Sequence, residues 1–286
     1  QQQPLVIKTL GVDLQQDKNA VEQFQLEDWV SKRLKHDNLM QCYPHNTEKK
    51  YLFQCYEYLQ GETLAQWLHR QEKPLNLDEI LPILQQTALA LNAMHRLEML
   101  HQDIRPKNIM VINAENAMKI KLIDYGSTAV RGLVEINPKN ANRALGTLAF
   151  MAPEYFIDHS PSVHSDQFSL AVMAYYLFTK QLPYGTDLAR CNSLKQMKKV
   201  QYHSIRKYRP DLPIWLDKIL GQALSIEPIH RFEALSELIH NLMHPSKELL
   251  NSKPPAIIER DPLRFWQMSC AVLGLLFLLS IAWPFI

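Results

Sequence analysis

The stretch His101-Gln102-Asp103-Ile104-Arg105-Pro106-Lys107-Asn108 constrains this chain most, because it places an acid, a cation and an amide within six residues. A carboxylate facing a hydroxyl can accept its proton. A cation two residues on can neutralise a moving phosphoryl group, and an amide oxygen five residues on can hold a metal. Alone, an H-x-D-x-x-x-x-N match proves little. Its weight comes from three downstream motifs: Asp124-Tyr125-Gly126 after two short apolar runs, then Gly146-Thr147, then Met151-Ala152-Pro153-Glu154.

Composition narrows the setting for this chemistry. With 286 residues, 47% hydrophobic and 21% charged, the chain is long enough for one large domain or two lobes. A formal net charge of +2, with basic residues scattered along the chain, argues against a nucleic-acid partner. Cys42, Cys55, Cys191 and Cys270 form no C-x-x-C pair, which points to a reducing compartment without structural zinc. None of the eleven histidines lies in H-E-x-x-H, so metal ligation by histidine is not expected. The chain opens at Gln1 with no visible signal peptide.

The His101–Asn108, Asp124–Gly126 and Ala152–Glu154 signatures, in this order, resemble the H-R-D, D-F-G and A-P-E motifs of the protein kinase family. The resemblance covers Leu5 to about Leu242 and is densest between His101 and Glu154. It implies an α+β, bilobal protein-kinase-like fold. Residues 1–59 would form a truncated N-terminal lobe with the hinge, and residues 60–245 a mainly helical C-terminal lobe. It also implies ATP and Mg²⁺ as cofactors, with Asp103 as the proton acceptor, Arg105 as the neighbouring cation, and Asn108 and Asp124 as metal ligands. The local alternative for Asp124 is a plain cap on the adjoining turn.

Leu5-Val6-Ile7-Lys8 is similar to the family's V-A-I-K strand, whose lysine grips the nucleotide phosphates. Such an apolar run before a lysine also occurs on many other strands. His36-Asp37-Asn38-Leu39 is similar to the family's H-P-N-I turn, and counting back from it makes Glu27 the partner of Lys8; otherwise Glu27 is a solvated helix carboxylate. Val6 and Met110 would line the adenine pocket, and the Glu57 carbonyl and Leu59 amide would pair with the adenine edge. Tyr56 would stand at the back of that pocket or serve as a core aromatic. Thr147 would bond Asp103 and Arg105, which favours serine and threonine substrates over tyrosine. Asp166 would bond the backbone of the catalytic loop, and Arg231 would pair with Glu154.

Apolar spacing predicts helices over Val21–Leu34 and Leu75–His95, and a strongly apolar helix from Asp166. Two apolar runs around 113–117 predict a hairpin that brings Asn108 and Asp124 together. Residues 246–264 read as a polar, proline-containing linker. Phe265 to Ile286 carries no charge and would span about 33 Å as a helix, close to the ~30 Å of a hydrocarbon core. Trp266 and Trp283 lie near its ends, and Arg260 and Arg264 flank one side. This predicts a C-terminal transmembrane helix over 265–286, with the rest of the chain on the cytoplasmic side of a bacterial inner membrane.

The expected function is therefore ATP-dependent phosphorylation of serine and threonine hydroxyls on protein substrates, at a membrane. Some bacterial kinases of this kind carry a metal-dependent phosphatase domain upstream, so such a domain is a possible neighbour in a longer chain. A pseudokinase, docking rather than catalysing, is the alternative, because no glycine-rich loop precedes Lys8. On that view the chain alone would be a poor catalyst. A small-molecule phosphotransferase shares the H-x-D-x-x-x-x-N loop, but Gly146-Thr147 and Ala152-Pro153-Glu154 argue for a protein-substrate groove. Gln102 stands where many relatives have an arginine that pairs with a phosphorylated activation segment, so phosphorylation between Asp124 and Glu154 is not expected to be required.

Overall fold

The computed structural model describes residues 4–44, 52–114, 117–131, 148–157, 160–251 and 262–282. By chain contacts they divide into two compact units, Gln1–Ser246 and Lys247–Ile286. The first is bilobal. Its smaller lobe holds β1 (Leu5–Thr9), β2 (Cys42–Tyr43) and β3 (Phe53–Glu57) in an antiparallel sheet of order β1-β3-β2. The register sets Val6 opposite Tyr56 and Lys8 opposite Gln54.

Helix α1 (Lys18–Ser31) packs with this sheet through buried Phe24, Glu27 and Val30. It starts three residues before the apolar pattern suggests, because Asp17 caps it by accepting from the amides of Asn19 at 2.9 Å and Ala20 at 3.3 Å. Ser31, an unusual residue for a core position, is fully buried and donates its hydroxyl to the Asp28 carbonyl at 3.1 Å.

The larger lobe begins with β4 (Glu62–Thr63) and α2 (Leu64–His69), which Thr63 caps. Gly61 is required at this crossing. A Cβ there would lie 2.1 Å from the Val111 carbonyl oxygen, a contact that backbone atoms cannot yield. Helix α3 (Leu77–His95) turns its apolar face inward and is opened by an Asn76–Glu79 capping box. Its Gln86 accepts from the Ile120 amide and the Asn38 side chain and donates to the Met118 carbonyl.

After β5 (Met99–Leu100) come β6 (Ile109–Ala114) and β7 (Ala117–Leu122), paired antiparallel from Ile109↔Leu122 to Ala114↔Ala117. The hairpin strands run further into the polar stretch than apolar content alone suggests, and residues 115–116 lie outside the described set. Strand β8 (Ala129–Val130) pairs with β5. The Asn38 turn docks the small lobe here: the Leu122 amide donates to the Asn38 carbonyl at 2.8 Å and the Met40 amide to the Leu122 carbonyl at 3.0 Å.

Helix α4 (Val163–Thr179) is buried on nearly every face, as its all-round apolar sequence demands. Around it lie α5 (Leu194–Met197), α6 (Ile214–Ala223) and α7 (Leu235–Met243). A buried ion pair ties the end of this lobe to its middle: Arg231 grips both Glu154 oxygens, at 2.8 and 2.9 Å, and donates to the carbonyls of His164 and Ser225. Ser165 adds its hydroxyl to Glu154 at 2.7 Å, so neither charge is left without hydrogen bonds.

The second unit contains α8 (Lys247–Leu250) and α9 (Pro262–Ala282). Among the described residues, no helix is long and apolar enough to cross a membrane, so the expected transmembrane helix over 265–286 is not supported. Helix α9 starts three residues ahead of the uncharged run and takes Arg264 into its first turn, while 283–286 lie outside the described residues.

Arg231→Ala would leave the Glu154 carboxylate buried and unpaired. We expect it to destabilise the first unit by about 3–5 kcal/mol, read as a lower urea midpoint at unchanged slope. A loss below about 1 kcal/mol would contradict a structural role for the pair.

Candidate active site

The predicted site residues come from separate strands, helices and loops. Lys8 reaches from β1 to Glu27 Oε1 on α1 at 2.6 Å and to Asp124 Oδ1, just past β7, at 3.0 Å. Asp124 adopts a left-handed backbone with φ 65°, and the Gly126 amide approaches its Oδ1 at 3.4 Å. Gly126 leaves room for this cluster, since a Cβ there would stand 3.3 Å from both the Asp124 and the Glu27 carboxylate oxygens.

Burial would lower the Lys8 ammonium, but the Asp124 and Glu27 carboxylates outweigh it and hold Lys8 above its ordinary value. Burial would likewise raise the Asp124 carboxyl, yet the Lys8 ammonium keeps it below the usual carboxylate range. Glu27 goes the other way: burial outweighs Lys8 and lifts its carboxyl. The Lys8 contribution to stability is complete below 10.5, its unfolded value, and is lost only as pH rises through the higher folded value. The Asp124 contribution is complete above 3.8 and is lost as pH falls through the lower folded value. Between these limits the pair stays charged. With side chains 40% and 49% exposed, its energy is small and its main effect is positional.

Below this chain lies the catalytic loop. The carboxylate of Asp166, fully buried on α4, accepts from the amides of His101 and Gln102 at 3.0 Å each and bonds His95 Nε2 at 2.8 Å. Gln102 sits at φ 64°, a conformation disfavoured for a side-chain-bearing residue and held by these bonds. Asp103 follows directly. Asn108 Nδ2 donates to the Asp103 carbonyl and to Asp103 Oδ2, both at 2.8 Å, and the Asn108 carbonyl accepts from the Ile123 amide at 2.8 Å. Arg105 opens the Pro106–Asn108 turn and is half-buried.

These donors fit Mg²⁺. Both side-chain amide hydrogens of Asn108 are spent on Asp103, which leaves its side-chain Oδ1 for a cation, and the Asp124 carboxylate is half exposed. Two hard oxygens suit that ion. Among the described residues no group of three or more His, Cys, Asp or Glu could hold a metal, so its other ligands would be phosphate oxygens and water.

The pocket residues are less uniform. Met110 lies on β6 opposite Lys121, and Val6 is 42% exposed on β1. Tyr56 is buried, with its hydroxyl on Gln54 Oε1 at 2.6 Å and near Glu27 Oε1 at 3.5 Å. The Glu57 carboxylate accepts from Lys121 and from the Gln41 amide, and Leu59 follows β3 by two residues. Thr147 lies outside the described residues.

Three further residues, Gln54, His95 and Gln23, make contacts at the site that the motifs do not point to. Gln54 anchors Tyr56 and donates to the Phe24 carbonyl, His95 meets Asp166, and Gln23 donates to the Gly126 carbonyl at 2.6 Å. Only Gln23 carries a usable signal, being one helical turn before Glu27 and so on the same face.

Lys8→Met would remove the cation that most lowers the Asp124 carboxyl and leave burial opposed by the weaker effects of the Gly126 amide and His101. The Asp124 carboxyl is then expected to titrate above its wild-type value when followed by NMR, and an unchanged titration would show that Lys8 does not set it.

The protein kinase domain family matches residues 1–245. Serine/threonine-protein kinase PrkC of Bacillus subtilis is 26% identical over 82% of this chain and 35% of its own length. Serine/threonine-protein kinase pkn3 of Myxococcus xanthus is 30% identical over 79% of this chain and 42% of its own length. The chain thus spans less than half the length of these curated relatives. The crystal structure of the Mycobacterium tuberculosis PknI kinase domain superposes with a TM-score of 0.63, at 25% identity and 83% coverage of each chain. The chain belongs to the protein kinase domain family.

Proposed function

We propose that this chain transfers the γ-phosphoryl group of ATP to serine or threonine hydroxyls of protein substrates. The observation that carries the reading is the linking of two hydrogen-bonded groups, Glu27–Lys8–Asp124 and Asp103–Asn108, through the Ile123 amide, which donates to the Asn108 carbonyl at 2.8 Å beside Asp124. Phosphoryl transfer asks little covalent chemistry of a protein and much positioning.

In this reading Lys8, oriented by Glu27, holds the nucleotide phosphates. Asn108 and Asp124 would hold Mg²⁺, which supplies charge neutralisation at the phosphates when bound. Asn108 occupies one oxygen of Asp103 and leaves Oδ1 to accept the proton of the attacking hydroxyl. Arg105 supplies positive charge beside the transferred group. The serine/threonine preference is supported by the names of PrkC and pkn3.

Asp103→Asn keeps the shape of the loop but removes the proton acceptor. Phosphate transfer to a generic protein substrate is expected to fall by about 10²-fold or more while nucleotide binding persists. Undiminished turnover would defeat the assignment.

Attachment to a membrane is a separate proposal. It is supported by the uncharged stretch 265–286 and by the exposed side chains of Leu263, Trp266, Met268, Val272 and Leu273 on α9. Removing residues 262–286 is expected to shift the protein from the membrane pellet to the supernatant. Recovery of the full chain in the supernatant would end this proposal.

A further inference from the structure

The Asp124-Tyr125-Gly126 turn is held by more than Lys8. Gln23, one turn before Glu27 on α1, donates its amide to the Gly126 carbonyl at 2.6 Å. Tyr125, only 1% exposed, brings its hydroxyl within 3.0 Å of the Met40 carbonyl and 3.3 Å of the Leu122 carbonyl. A phenol has one hydrogen to give, and the shorter of the two contacts, to the Met40 carbonyl, is the better placed to take it. The turn is therefore fastened on both sides of its ring: to α1 through Gly126, and to the segment after the Asn38 turn through Tyr125. A phenylalanine at 125 would fill the same space and leave the Met40 carbonyl without this donor.

These ties bear on the metal ligand itself. Asp124 stands in a left-handed conformation, and its carboxylate must present one oxygen to Lys8 and keep the other accessible. Losing either tie frees the peptide on the carboxyl side of Asp124, and with it the direction of that carboxylate. Because Gln23 and Glu27 share one face of α1, any displacement of the helix releases Lys8 and Gly126 together.

We propose that Gln23 and the Tyr125 hydroxyl are positioning residues that fix Asp124 for metal-nucleotide binding by fastening the turn to α1 and to Met40. The metal part of this inference rests on the kinase reading above; the fastening does not.

The test uses the full chain with Gln23→Met and Tyr125→Phe, each of which keeps side-chain volume and removes one donor. Amide hydrogen exchange is measured over residues 124–128, with α4 and α6 as internal references for global stability. We expect exchange in the turn to rise about 3- to 10-fold in each variant, the range set by one neutral hydrogen bond, while α4 and α6 keep their wild-type rates. Binding of a fluorescent ATP analogue is then titrated with and without Mg²⁺. Affinity in the presence of Mg²⁺ is expected to fall about 3- to 10-fold, with metal-free affinity unchanged. Wild-type exchange in the turn of both variants would overturn the fastening, and an equal loss with and without Mg²⁺ would overturn the role at Asp124. If the wild-type chain bound no nucleotide at all, the kinase reading and the metal role would fall together, while the exchange data would still decide the fastening.

Discussion

A carboxylate with no access to water must find its hydrogen bonds inside the protein, and Asp166 finds them on the loop that carries the proposed catalytic acid-base group. Its two oxygens take the His101 and Gln102 amides and the His95 imidazole. Through those bonds the most buried helix of the larger lobe dictates the backbone of the His101–Asn108 stretch, including the left-handed turn at Gln102. Asp103 inherits its position from that turn, and Asn108 then locks it by donating to both its carbonyl and its carboxylate. Rigidity is thus handed from α4 to the loop without passing through any long, flexible side chain.

The smaller lobe reaches the same place by a different route. Lys8 is long, close to half exposed and flexible in itself, so it needs partners on two sides: Glu27, buried against Tyr56, and Asp124. Burial lifts the Glu27 carboxyl, while Lys8 holds the half-exposed Asp124 carboxyl below its ordinary range, so the two acids shift in opposite directions. What joins the lobes under this pair is backbone hydrogen bonding between the Asn38 turn and β7, reinforced by Gln86 from α3. The hinge side is closed by the Lys121–Glu57 pair.

The large lobe is stapled by Arg231 and Glu154, and the Arg231 guanidinium also lies 4.7 Å over the Phe168 ring of α4. Phe168 stacks on Tyr184, and Tyr184 meets Tyr202, whose hydroxyl bonds Asp217 on α6 at 3.0 Å. A break at Arg231 would therefore be felt well beyond the pair itself, which is why its energetic weight exceeds that of any surface ion pair among the described residues.

The chemistry is legible in the chain alone. The spacing of Asp103, Arg105 and Asn108 and the Asp124-Tyr125-Gly126 turn can be read there, because fixed offsets and signature order are local properties of a sequence; the Arg231–Glu154 and Lys8–Glu27 pairings are implied only by the resemblance to the kinase family. Helix ends are legible only where caps are weighed, as Asp17 shows for α1, and among the described residues charge-free length does not by itself make a membrane-crossing helix. Which groups meet is settled by tertiary packing. Lys8 finds Asp124 116 positions away, and Gln23 finds Gly126 across 103. Separations of that size leave no periodicity in a sequence. They are fixed by tertiary packing, such as that of α3 against β7 and α4, and packing depends on every side chain at once.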